Sequence, residues 1–143
     1  MAKWSAVRTW WIRDLGLSTF IGGQQTGASI AALKVLMAVA LMADFRTRKA
    51  RNSLSDLEKL TGLSKPMVLR GIQELEQKAI LRVDRSGHVS EYEMTVAQED
   101  EYWCKLPYDL LRKQLPEITN RGVVTLSALK IYFLLASIRP NDS

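Results

Sequence analysis

The chain of 143 residues contains one cysteine and one histidine. With Cys104 alone, an internal disulfide framework and a cysteine-cluster metal site are both excluded, and a reducing compartment fits. His88, as the only imidazole, excludes a His-rich metal site. No Ser/His/Asp or paired-carboxylate pattern supplies a nucleophile and its base, so no enzyme, metal or cofactor is expected. The N-terminus has no apolar core ahead of a small-residue cleavage site, so no signal peptide is expected. The most apolar run, Ile30 to Ala43, is interrupted by Lys34 and is shorter than the ~20 residues of a bilayer span. A cytosolic globular protein without a membrane role is the expectation. The segment Gly22 to Ser29 has the glycine spacing of a phosphate loop, but Ala28 stands where the phosphate-reaching lysine is needed, which leaves a plain linker.

The apolar fraction of 47% and charged fraction of 24% are those of an ordinary folded chain. The net charge of +5 is unevenly spread. Residues 1–51 carry eight Lys/Arg against two acids, residues 52–90 are nearly balanced, and residues 91–143 hold eight acids against six bases. A basic side with an acidic stretch can orient on a polyanion, although mixed surface charge is also ordinary.

Trp4, Val7, Trp11 and Leu15 recur at helical spacing ahead of Gly16, while Val7–Ile12 reads equally well as extended. Gly22, Gly23 and Gly27 mark a loop. A long helix follows, capped by Ser29 and running to about Asp44, with Ile30, Leu33, Leu36, Met37, Ala40 and Leu41 as a core stripe. Ser53 to Leu60 reads as a short helix in which Ser55 and Glu58 fit a capping box. Thr61-Gly62-Leu63 is a turn, and Ser64 caps a third helix with Pro66 in its first turn. Val68, Ile72 and Leu75 face inward from that helix. Ile80–Val83 and Val89–Val96, joined through Asp84-Arg85-Ser86-Gly87, read as a hairpin. The expected fold class is mainly α with a small β-hairpin (α+β).

The residues Leu57, Thr61-Gly62-Leu63-Ser64, Val68, Arg70, Ile72, Leu75-Glu76, Lys78 and Ile80 resemble the pattern of winged helix-turn-helix domains. The run is similar to MarR-type regulators and to the winged helices of phage and plasmid replication proteins. Ala79 departs from it, since a helix-ending glycine is usual there. The resemblance covers roughly residues 28–96 and implies a winged helix with additional N- and C-terminal helical segments. Three regions follow: a Trp-rich extension at 1–27, the winged helix at 28–96, and an acidic linker with a C-terminal helix at 97–143.

With the inward positions assigned, helical geometry turns Lys65, Pro66, Met67, Leu69, Arg70 and Gln73 outward. Arg70 and Gln73 share a face, and such side chains bond guanine and adenine in bidentate fashion; Leu69 or Met67 can meet a thymine methyl. Ser64 places the helix N-terminus where a phosphate can meet free N–H groups. In the wing, Arg82 to Tyr92, Arg85 is the candidate for a phosphate or minor-groove contact, and His88 is a solvated loop residue or a phosphate contact. Arg46, Arg48, Lys49 and Arg51 lie on the connection into the second helix, as a backbone grip or as a solvated loop.

Residues 125–136 repeat residues 29–40 at an offset of 96, with Ala-Leu-Lys identical. Leu106–Leu110 echoes Trp11–Leu15 at an offset of 95. Either a second winged helix begins here and breaks off at Pro140, or two apolar helices share a pattern without duplication. The 126–138 helix is apolar almost all round, so it must pack on the first domain, on the Trp-rich N-terminus or on another chain. The expected partner is double-stranded DNA, with homodimer or tandem-domain contacts through that helix. Replication initiation or its control on a plasmid, phage or other mobile element is the role the resemblance implies. A dimeric transcriptional regulator and a winged helix serving as a protein-interaction module are the alternatives.

Overall fold

The computed structural model describes residues 4–13, 16–44, 46–95 and 103–138. Leu15, Val96, the acids Glu99 to Glu101, Pro140 and the Cys104 side chain lie outside that description, and so do the expectations placed on them. The described elements are β1 (Trp4–Arg8), α1 (Trp10–Arg13), α2 (Thr26–Met42), β2 (Lys49–Arg51), α3 (Leu54–Thr61), α4 (Lys65–Gln77), β3 (Leu81–Asp84), β4 (Glu91–Met94), β5 (Trp103–Pro107), α5 (Tyr108–Gln114) and α6 (Val123–Ser137). The architecture is mixed α and β, mostly helical, with two small antiparallel sheets.

Helix α2 is the axis. Every residue from Ala28 to Leu41 is buried, as expected of a helix with no polar face to give to water. Gly23–Met42 has the length and hydropathy to cross a bilayer; here the helix is instead enclosed by β1, α3, α4, α6 and the sheet of β2. The nearest approach is made by α4, where a Cβ on Gly71 would lie 2.8 Å from the Ala31 carbonyl carbon and 3.0 Å from Val35 Cγ2. Only a residue without a side chain lets two backbones come so near.

The start of α2 differs from the expected one. The N-cap is Gln25, and the Ser29 hydroxyl, inside the helix and buried, donates to Ile21 O at 2.7 Å. A short turn at Gly23–Gln25 runs straight into the helix, so it begins before the first apolar residue. It ends at Met42, and the Asp44 carboxylate accepts from Arg46 N and Thr47 N instead of closing the helix. The capping box also moves two residues. Ser53 Oγ accepts from Asp56 N at 3.0 Å and Asp56 Oδ2 accepts from Ser53 N at 3.1 Å, which leaves Ser55 and Glu58 out of it.

At the end of α4 the chain closes a Schellman motif: Ile80 N donates to Leu75 O and Ala79 N to Glu76 O, both at 3.0 Å. Ala79 takes φ +58° there. Alanine thus occupies the left-handed position where glycine is usual, at a cost of about 1 kcal/mol.

The second sheet has the order β2-β4-β3. The hairpin strands are shorter than the sequence suggests, with Leu81 opposite Met94 and Asp84 opposite Glu91. Part of the basic 46–51 run is strand β2 on the outer edge of β4, not a loop.

The N-terminal segment is extended first and helical second: β1 leads into α1, which packs Trp11 edge-to-face on Phe20 and Phe133 at 5.8 and 5.5 Å. β1 pairs antiparallel with β5. Helix α6 packs on this region and on α2 through Leu126, Leu129, Phe133 and Ala136. Ile131, Leu134, Leu135 and Ile138 are exposed. The offset of 96 falls within helix in both copies, α2 and α6. The offset of 95 does not hold as structure, because Trp11 lies in helix α1 and Leu106 in strand β5.

Candidate nucleic-acid interface

Val68, Ile72 and Leu75 are buried against α2 and fix the rotation of α4. Lys65, Pro66, Leu69, Arg70 and Gln73 consequently face solvent. Met67 departs from the expected outward set. It is half-buried and packs on the core, with its Cε 3.7 Å from the position of a Cβ on Gly27. A flexible thioether fills the space that glycine leaves at the start of α2. Ser64 is the N-cap by backbone conformation, but its hydroxyl takes none of the first-turn N–H groups; Pro66 has none to offer.

Between α4 and the β3–β4 hairpin runs an open groove of roughly 680 Å³. Leu69, Arg70 and Gln73 line it from the helix, and Arg85, Ser90 and Tyr92 from the hairpin. Arg70 lends Nη2 to Gln25 Oε1 at 3.1 Å and lies 3.6 Å from Glu74, which also holds Lys78. Arg85 is more tightly engaged. Its two terminal nitrogens meet the Glu76 carboxylate at 2.6 and 3.0 Å in a fork, which leaves its Nε edge uncommitted. The guanidinium bonds hold the Glu76 carboxyl below the usual carboxylate range. Both pairs are largely exposed to solvent, and exposed pairs typically contribute about 0.2–1 kcal/mol, with a bidentate fork such as that of Arg85 at the stronger end. The hairpin tip is shaped by Asp84, whose Oδ1 accepts from Ser86 N and Ser86 Oγ and whose carboxyl is held low by those bonds. Tyr92 is buried at the floor of the groove, and desolvation pushes its hydroxyl pKa up.

The expected site residues therefore divide. Pro66, Leu69, Arg70, Gln73 and Arg85 share one groove. Ser64 and Lys65 are exposed at the start of α4, and His88 is exposed at the hairpin tip. Arg46, Arg48, Lys49 and Arg51 stand apart on β2 and its lead-in, beyond β4 from β3. Lys49 is 3.9 Å from Glu91, and Arg48 takes φ +61°. Sequence reasoning did not single out Gln25 and Glu76 as partners of the two arginines: Gln25 lies outside the helix-turn-helix run, and Glu76 meets Arg85 only when the hairpin folds against α4. Among the described residues no three metal-ligating side chains converge. Comparison with protein-family models, with curated proteins and with solved structures finds no match for this chain.

Proposed function

We propose that this chain binds double-stranded DNA as a winged helix-turn-helix. In this reading α3 and α4 form the helix-turn-helix, α4 enters the major groove, and the β3–β4 hairpin is the wing. One observation carries the reading. The apolar positions of α4 are spent on α2, so Arg70 and Gln73 are left exposed across an open groove from Arg85. A helix fits the major groove and these side chain types match base edges, whereas the wing arginine suits phosphate. The basic 46–51 run adds charge away from the groove. The C-terminal succession of strand, helix, turn and helix follows the same order as the N-terminal one. That order supports a tandem winged-helix protein and, with it, a role in replication initiation on a mobile element, ahead of a dimeric transcriptional regulator.

A protein-interaction winged helix is the second reading, favoured by the exposed apolar side of α6. Selection of bound duplexes from a random pool, followed by a salt titration, separates the two. Four to six phosphate contacts give a log–log slope of roughly −3.5 to −5.5, at ~0.9 per phosphate. Binding that stays micromolar or weaker at low salt, without sequence preference, favours the protein partner.

A further inference from the structure

Lys34 sits in the middle of α2 with no exposed surface. A buried ammonium is costly unless its donors are satisfied, and among the described residues no carboxylate pairs with it. Its Nζ instead donates to two neutral oxygens of the C-terminal region, Ile118 O and Asn120 Oδ1, each at 2.7 Å. Asn120 then donates Nδ2 to Gly62 O at 3.1 Å. The two neighbours also fix which way the amide points, since the ammonium can only donate and the carbonyl can only accept.

Gly62 is the residue at which the chain turns from α3 into α4. It has φ +72°, and a Cβ there would lie 2.5 Å from Pro116 O. The 115–120 segment therefore touches the turn twice, through Pro116 against the glycine and through Asn120 on its carbonyl. Lys34 anchors the segment from beneath. A core-facing methionine would fill the same space on α2 without desolvating a charge, but it could not select one position of the 115–120 segment.

We infer that Asn120 is a positioning residue for the helix-turn-helix: it receives the buried Lys34 ammonium on its carbonyl and gives its amide to Gly62, so that the C-terminal region sets the turn between α3 and α4. The DNA-binding reading gives this brace its consequence, because the turn sets the start of α4; the brace itself stands on geometry independent of DNA.

Asn120→Asp separates the two bonds. An aspartate still accepts from Lys34, as an ion pair, but when ionised it has no hydrogen to give Gly62. The expected result is global stability in denaturant that is kept or raised, while the amides of Gly62 and Leu63 exchange about fivefold faster, the equivalent of one hydrogen bond. Asn120→Ala and Lys34→Met should loosen the same amides, since each breaks the chain of bonds. A side chain serving only as packing would instead change these amides in step with global stability. Exchange at 62 and 63 that follows the α2 amides in all three variants overturns the inference. The rates are read on the free protein, so failure to bind any duplex would defeat the DNA reading and leave the brace intact.

Discussion

Helices α2 and α6 carry the same Ala-Leu-Lys at a constant offset and are similarly apolar, yet they live in different surroundings. Val35 and Val39 of α2 have no exposed surface, while their counterparts Ile131 and Leu135 are each 55% exposed. The bare side of α6 is no less greasy. It has Leu134 and Leu135 where α2 has Ala38 and Val39. What differs is the cover: β2, α3 and α4 follow α2 and close over it, and no described element closes over this side of α6. Burial is thus set by the neighbours that a sequence places next, not by the apolar pattern of the helix alone. The two lysines repeat the contrast, with Lys34 enclosed and bonded to the 115–120 segment and Lys130 half-buried.

The largest expected effect breaks the pair apart. Val35→Asn puts an amide into a closed, apolar site and should cost about 3–5 kcal/mol of unfolding free energy. Ile131→Asn, at the matching position, should stay within about 0.5 kcal/mol by urea denaturation. Equal losses would mean that α6 is covered in solution.

The second effect is a pH dependence. Burial lowers the Lys34 pKa from 10.5 to about 8. Between those values the unfolded chain binds more protons than the folded one, so stability rises with pH across that window. Wild type should therefore gain on Lys34→Met by at most about 3 kcal/mol between pH 8 and 10.5. Parallel stability profiles of the two proteins would contradict the desolvated ammonium.

The smallest effect lies at the end of α4. Ala79→Gly relieves the left-handed alanine and should stabilise the protein by about 1 kcal/mol, read as a raised Tm. A loss of stability would show that the Schellman motif is not strained at this position.

Much of the groove was legible because α4 is strongly periodic: Val68, Ile72 and Leu75 dictate which face is left for Arg70 and Gln73. The turn at Gly62 was legible for the same reason that it exists, since glycine accepts the left-handed backbone. Helix starts were less legible where two caps competed. Ser53 with Asp56 and Ser55 with Glu58 offer the same chemistry two residues apart, and the extended backbone at Ser53 decides. Strand β2 was not legible at all, because Lys-Ala-Arg has no strand composition and becomes a strand by pairing with β4. Met67 was misplaced because periodicity does not register the space left by Gly27. Lys34 reads in sequence as an interruption of an apolar run. Its role requires Ile118 and Asn120, more than eighty residues away.

The most direct test of the central claim compares Arg70→Ala with wild type on a selected duplex and on a scrambled one. The account predicts a loss of about 1–3 kcal/mol on the selected duplex and little on the scrambled one, while Arg85→Ala weakens both alike. Unchanged affinity of Arg70→Ala on the selected duplex would contradict the claim that the outward face of α4 reads DNA.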